Sequence, residues 1–265
     1  MHLNFKDIYY LLDFYAYYSR IKKDCTLANE IWCLKAIFAI EKYYVEAFYK
    51  LKRDNFYGAW CTFGHVETIY KNLFKHYNST LDEFKINSIY EYTKQFQKIF
   101  PYTLFSSVEL KIDKFKCNIC GKERISYKRV CNHKIGELYC GKLCAQIPEG
   151  ITVINDSLVE NPMDKCTVPF INGIDTYDYG KIKTLISALD SPFDDWNFEI
   201  TETSKTHSEF KHISGDDSCP CGSGKIYSEC CLNKDEIIIK HLEFYVNKPI
   251  EEIEKYNHYY INKKM

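Results

Sequence analysis

The chain has 265 residues, of which 46% are hydrophobic and 27% are charged. At roughly 150 residues per domain, this length predicts one or two domains with a sizeable core. The hydrophobic content excludes a disordered chain, and 11 Gly with 7 Pro exclude collagen-like and linker-like proteins. Because no apolar run approaches the ~18 residues of a spanning helix and no secretory signal is recognisable, we expect a cytoplasmic protein without a membrane span.

The first 105 residues carry a helical pattern. They contain one Pro and two of the 11 Gly, and their apolar residues recur three and four positions apart. Asp54 is a candidate N-cap of the third helix, and residues 80–83 (Thr-Leu-Asp-Glu) match a capping box ahead of the fourth. Four helices with short connections predict an antiparallel helical bundle over residues 1–105, with Trp60 in its core.

The next predicted domain, residues 106–200, has a different character. It begins with a Cys-rich patch and continues with an extended, β-branched stretch at 151–172, interrupted by a turn at Asn161-Pro162. Residues 179–189 form an amphipathic helical pattern. These features predict a zinc-ribbon-like α+β segment.

The C-terminal part is divided by composition. Residues 201–217 are polar and predict a linker. Residues 218–265 hold a second Cys-rich patch and two short predicted helices, at 236–246 and 250–260. The predicted fold class is therefore mainly α: the bundle, then the zinc-ribbon-like segment, then a small C-terminal zinc module.

Charge is unevenly distributed along the chain, although the formal net charge is only −1. Residues 1–146 carry 23 Lys/Arg against 15 Asp/Glu, whereas residues 147–265 carry 12 against 21. Either the two halves attract each other, or the basic half binds an acidic partner. We expect any nucleic-acid affinity to lie in residues 1–146 and to weaken with salt.

The chain has 13 cysteines, and nine of them fall into two patches. In a chain without an export signal, such clustering indicates metal chemistry rather than disulfides. The other four are interpreted as ordinary small core residues. These four are Cys25, Cys33, Cys61 and Cys166.

The first patch opens with a zinc knuckle at residues 117–121 (Cys-Asn-Ile-Cys-Gly), in which two thiolates three residues apart can converge on one ion. Cys131 and His133 are the favoured second half of a four-ligand set, and Cys140 with Cys144 is the alternative. The favoured first set is Cys117, Cys120, Cys131 and His133.

Residues 131–139 resemble a Cys-x-His-x-x-Gly-x-x-Tyr pattern of bacterial and phage proteins, in which the positions of Cys140 and Cys144 are commonly not cysteines. A closed four-ligand site stabilises a fold, whereas a catalytic zinc keeps one position open. Glu123 and Glu137, the acids of this patch, have no recognisable catalytic spacing. We therefore expect a structural zinc ion here.

The second patch, residues 219–231, has the spacing Cys-x-Cys, eight residues, Cys-Cys. Pro220 stiffens the first pair, and Gly222 and Gly224 permit the positive φ of a tight loop around an ion. The segment closely resembles the SEC-C motif, a zinc-binding module of many bacterial proteins. The resemblance implies an appended adaptor in which four thiolates hold zinc. The residues at the metal positions are Cys219, Cys221, Cys230 and Cys231.

Signatures of common enzyme classes are missing from the sequence. A HEPN-type ribonuclease requires Arg followed by His after four to six residues, and none of the four Arg satisfies this spacing. His65 and Glu67 would point away from each other on a helix. No Gly-x-Ser-x-Gly, dinucleotide fingerprint or His-Glu-x-x-His occurs.

These observations favour a non-catalytic interaction or adaptor protein that depends on two zinc ions. Its expected partner is a protein, a nucleic acid or a ribonucleoprotein. The alternative is an enzyme, such as a nuclease in a phage-defence setting, whose site the sequence does not reveal. A deep pocket lined by ionisable groups would favour this alternative.

Overall fold

The structure is a computed structural model that describes residues 5–77, 82–124 and 131–247. Contacts divide the chain into two compact units, Met1–Tyr179 and Gly180–Met265. Helix accounts for 38% of the residues and strand for 24%. The fold is therefore mixed α/β, and the prediction of a mainly α protein is wrong.

Four helices lie in the N-terminal part of the first unit, where the apolar spacing predicts them. Helix α2 packs against each of the other three. The side chain of Asp24 caps α2 by accepting a hydrogen bond from the Leu27 amide, at 3.0 Å. The bounds of the helices are α1 Phe5–Ile21, α2 Cys25–Leu51, α3 Phe56–Leu73 and α4 Ile86–Ile99.

The start signals of α3 and α4 differ in part from the predicted ones. Asn55, and not Asp54, caps α3, since its side chain accepts from the Gly58 amide. Asp54 instead has a left-handed backbone, with φ +57°. Asp82 accepts hydrogen bonds at the start of α4, whereas Thr80 and Leu81 of the predicted capping box lie outside the described residues.

Aromatic side chains fill the core between these helices. Phe63 of α3 stacks on Phe96 of α4 with 5.1 Å between ring centroids. Trp60 is 4% exposed and contacts the rings of Phe100 and Tyr102, each with 5.1 Å between centroids. The prediction that Trp60 lies in the core is confirmed. Rings of this size bury a large apolar area, which stabilises the helical part of the unit.

A long antiparallel strand pair follows the helices and leads to the first Cys-rich patch. Strand β1 pairs with β5 along most of its length, with an irregularity between Glu109 and Leu110. The strand order is β2-β1-β5, and β3 and β4 form a separate hairpin. The bounds are β1 Phe105–Cys117, β2 Glu123–Arg124, β3 Leu138–Tyr139, β4 Lys142–Leu143 and β5 Gln146–Val159.

The second unit contains one helix and a two-stranded antiparallel sheet of β6 and β7. Its helix lies where the amphipathic pattern at 179–189 predicts it. A short 3-10 helix connects β6 to the second Cys-rich patch. The bounds are α5 Gly180–Ala188, β6 Trp196–Lys205, the 3-10 helix His207–Phe210 and β7 Ile237–Val246.

Two expectations for the C-terminal part are corrected by this sheet. Residues 201–205, expected to begin a linker, complete β6, and residues 236–246, expected to be helical, form β7 from Ile237 onwards. The run Ile237-Ile238-Ile239 favours a strand because β-branched side chains suit a pleated surface. The predicted helix at 250–260 lies outside the described residues. None of the described helices is long and apolar enough to cross a membrane.

Candidate metal centres

Strand β1 ends at Cys117, where the chain enters the predicted knuckle. The Gly121 amide donates to the Cys117 carbonyl at 2.8 Å, and the Cys117 amide donates to Lys122 at 3.0 Å. Gly121 has φ +74°, a conformation that is unfavourable for a residue with a Cβ atom. The glycine after the second Cys therefore closes the turn that brings Cys117 and Cys120 together.

The structure brings the favoured first set together. One ligand atom from each of its four residues lies within 4.8 Å of the other three. Cys117 Sγ and His133 Nδ1 are 3.7 Å apart. Ligands about 2.1–2.3 Å from a tetrahedral Zn²⁺ are separated from one another by about 3.5–3.8 Å, so this donor set suits that ion. The members are Cys117, Cys120, Cys131 and His133.

The alternative ligands of the first set, Cys140 and Cys144, lie in different environments. Cys140 forms a disulfide with Cys25, 115 residues earlier in the sequence. Cys144 is a buried fifth thiol beside the set, and burial, together with the neighbouring Cys117, raises the pKa of Cys144 to about 11. The geometry therefore favours Cys131 and His133 over Cys140 and Cys144.

The interpretation of the isolated cysteines as core residues needs correction. Cys25 is bonded to Cys140, and Cys33, Cys61 and Cys166 are only partly buried. A disulfide between positions so far apart in the sequence leaves no local spacing signal, so sequence reasoning could not have found it.

The hairpin β3–β4 fixes the first patch against helix α2. Its two-residue turn, Cys140-Gly141, has positive φ at both positions, as a type I′ hairpin turn requires. The Gly141 amide donates to Asn29 Oδ1 at 2.7 Å. A Cβ atom at Gly141 would lie 2.8 Å from the Ala28 carbonyl oxygen, so only glycine allows this approach.

The second set is built within one loop. Residues 218 and 226 form an isolated antiparallel bridge, and the Cys219 amide donates to the Lys225 carbonyl at 2.8 Å. Gly222 and Gly224 have φ of +76° and +75°, as the loop prediction requires. One Sγ from each of the four cysteines lies within 4.8 Å of the others, which again suits a tetrahedral ion. The members are Cys219, Cys221, Cys230 and Cys231.

A small apolar cluster packs against the cysteines of the second set. Tyr227 and Ile237 are buried against Cys219 and Cys231, with partly buried side chains around them. The Tyr227 hydroxyl lies 2.5 Å from Nδ1 of His207, whose Nε2 lies 2.6 Å from the Lys234 carbonyl oxygen. Sequence reasoning missed His207 because it falls in the predicted linker and has no ligand spacing.

Each set contains one acidic thiol, which loses its proton more readily than an ordinary cysteine. Hydrogen bonds from the Cys120 and Ile119 amides lower the pKa of Cys117 to about 6. A hydrogen bond from the Ser223 hydroxyl lowers the pKa of Cys221 to about 6. Burial instead raises the pKa of Cys231 to about 12. Because metals bind thiolates, a bound cation would lower the pKa of all these thiols further.

Other residues considered for chemistry have structural contacts. His65 packs its ring against Tyr43. Burial raises the pKa of Glu67, but hydrogen bonds from Lys165 and Lys71 outweigh this effect and hold the pKa below its ordinary value. Glu123, near the first set, forms an ion pair with Lys114, with 2.9 Å between Oε1 and Nζ. Neither metal-ligand set identified among the described residues includes a carboxylate.

Comparisons with known proteins agree with the second set. The family model of the SEC-C motif matches residues 217–233, which contain all four cysteines of that set, and no family covers the rest of the chain. The resemblance of residues 219–231 to this motif is thus confirmed. Comparisons with curated proteins and with solved structures give no match. Metal binding by the cysteine clusters is supported, whereas the identity of the metal is not shown.

Proposed function

We propose that this chain is a non-catalytic interaction protein whose two binding modules are held in shape by zinc. The observation that carries the proposal is the pair of complete donor sets, each with four thiol or imidazole ligands within 4.8 Å. Four protein ligands fill a tetrahedral zinc ion and leave no position for a reacting water. The ions would stabilise the fold of each module, with the first set forming a zinc-ribbon-like site.

Zinc is the ion that this donor chemistry favours. Thiolates and imidazoles select zinc and other borderline or soft ions over magnesium and calcium, which take oxygen ligands. A Cys₄ and a Cys₃His set are both common structural zinc sites. The proposed setting is the cytoplasm, where thiols outside a formed disulfide such as Cys25–Cys140 remain reduced and available to a metal.

The partner is proposed to be a protein, a nucleic acid or a ribonucleoprotein. The SEC-C motif supports an adaptor role, because the resembling modules are appended to proteins of many kinds. The basic residues of 1–146 support an acidic partner. An enzymatic role has weaker support, because Glu67 and Glu123 are tied in ion pairs.

The test compares partner retention by the metal-loaded protein with retention by site variants. The full chain, Cys120→Ser and Cys230→Ser are immobilised, with Cys33→Ser as the matched control outside both sets. The proposal expects a partner retained by the full chain and the control, and lost when a set is broken. Nuclease treatment before elution identifies a nucleic-acid partner. Substrate turnover that survives both cysteine variants would contradict the non-catalytic role.

A further inference from the structure

A cavity of about 430 Å³ lies between α1, the first turns of α2 and the first Cys-rich patch. Its walls come from both helices, from Ile119 of the knuckle and from the hairpin β3–β4. Sites for small molecules commonly enclose roughly 300–1,000 Å³. The cavity is therefore large enough to take a ligand of the size of one nucleotide, with part of it in solvent.

The lining of this cavity is basic. Arg20, Lys35 and Lys142 line it, and no carboxylate is among its described lining residues. Lys35 forms an ion pair with Asp13, so its charge is compensated. Arg20 Nε and Lys142 Nζ donate instead to carbonyl oxygens of Ala16 and Asn118, at 3.0 and 2.6 Å. Within the described residues, neither of these two cations forms an ion pair with a carboxylate, and both would attract an anion.

The same lining carries two aromatic rings. Trp32 and Tyr139 face the cavity beside Arg20 and Lys142. An aromatic ring stacks on any nucleobase, a contact worth about 1–3 kcal/mol per base in single-stranded nucleic-acid binding. Aromatic rings next to unpaired cations are a combination that recognises a planar base attached to a phosphate.

From this lining we propose that the cavity binds one nucleotide, with its phosphate at Arg20 and Lys142 and its base against Trp32 and Tyr139. The inference rests on the proposed function and deepens it. It names a nucleotide as the ligand that is recognised beside the first metal set. The nucleotide is either free or part of a single strand, since both offer the same phosphate and base.

The cavity is also coupled to the first metal set. The rings of Tyr139 and His133 make a T-shaped contact, with 4.6 Å between centroids, and the Tyr139 hydroxyl accepts from the Lys134 amide at 2.9 Å. Removal of a metal from His133 would therefore disturb Tyr139. Nucleotide binding should weaken when the first set loses its ion.

The test titrates the zinc-loaded full chain with three probes: AMP, a fluorescent eight-nucleotide uridine strand and inorganic phosphate. Arg20→Gln and Lys142→Gln should each weaken nucleotide binding about tenfold, the effect of about 1.4 kcal/mol. The matched control is Lys22→Gln, two residues from Arg20 and outside the lining, with less than a twofold change expected. Trp32→Leu should weaken AMP binding and leave phosphate binding unchanged.

Binding of the strand but not of AMP, or of both, supports the site and distinguishes the two sources. Phosphate binding as tight as AMP binding would overturn the nucleotide assignment, as would affinity unchanged in Arg20→Gln and Lys142→Gln. If zinc-loaded protein binds no probe, this inference fails while the metal-dependent role stands. If the purified chain holds no metal, the proposed function itself fails.

Discussion

At the scale of single residues, the two candidate sets share a chemical design. Each combines an acidic thiol, Cys117 or Cys221, with at least one thiol whose pKa is raised, Cys131 or Cys231. In the second set, the Ser223 hydroxyl supports the Cys221 thiolate, whereas Cys231 is buried with a pKa raised to about 12. We infer that a metal would first meet the acidic thiol and would then draw the proton from the others.

Thiol reactivity in the metal-free protein should follow this difference. A pKa of about 6 leaves Cys221 mostly deprotonated at pH 7, whereas Cys231 stays protonated. With iodoacetamide, Cys221 should be alkylated first, at a rate that levels off above about pH 7. Mass spectrometry of tryptic peptides measures both rates, and zinc should protect both thiols. Equal rates at the two cysteines would be inconsistent with the proposed environments.

The choice of ligands in the first set can be decided by single substitutions. Cys131→Ser and His133→Ala should each release one zinc ion, because either leaves three donors of the set, and the neighbouring Cys144 thiol, with its pKa raised to about 11, resists deprotonation. Cys144→Ser should retain both zinc ions. Cys140→Ser should also retain both, because the sulfur of Cys140 is bonded to Cys25 and is not a ligand. A colorimetric zinc-release assay compares the four variants. Zinc release from Cys144→Ser would show that the fifth thiol is a ligand.

At the scale of elements, the sequence predicted the helices better than the strands. Helices α1 to α5 lie where apolar residues recur three and four positions apart, which is a local property of the sequence. Strand β1 carries an alternation of apolar and charged residues at 108–113, a local strand signal that the sequence prediction missed. Its pairing with β5 joins positions up to 54 residues apart, such as Phe105 and Val159, which no local pattern reveals.

The candidate ligands were predictable for a different reason. Their identity depends on thiol and imidazole chemistry at short, characteristic spacings, as in Cys117 and Cys120 or Cys230 and Cys231. The disulfide of Cys140 and the support of Tyr227 by His207 depend on long-range contacts. Those contacts form only when the elements pack, so the sequence alone did not indicate them.

The β3–β4 turn allows a matched test of how this hairpin docks on α2. Gly141→Ala adds a methyl group at φ +76°, 2.8 Å from the Ala28 carbonyl oxygen. Gly173→Ala has nearly the same φ, +74°, with no atom within 4 Å, so it isolates the backbone cost. We expect Gly173→Ala to lower the free energy of unfolding by about 1–2 kcal/mol.

Gly141→Ala should cost at least about 1 kcal/mol more, because overpacking adds to the backbone strain. Urea unfolding of the zinc-loaded proteins measures both changes. Equal losses in the two variants would mean that the hairpin does not make this close approach to Ala28.

At the scale of the whole molecule, the charge asymmetry follows the two compact units only in part. Residues 1–179 carry 24 Lys/Arg and 21 Asp/Glu, and residues 180–265 carry 11 and 15. The difference in net charge between the two units is smaller than that between residues 1–146 and 147–265. The reason is that the acidic stretch after residue 146 belongs to the first unit. Recognition of an acidic partner would therefore depend on local sites, such as the cavity beside Arg20, rather than on the net charge of a unit.

The number of zinc ions bound per chain shows whether both sets hold a metal. Elemental analysis of the purified full chain should give two zinc ions per chain, with one in Cys120→Ser, one in Cys230→Ser and none in the double variant. Cys33→Ser, outside both sets, should keep two. A native chain with one metal or none, iron as its main metal, or two zinc ions retained by Cys120→Ser would contradict the account.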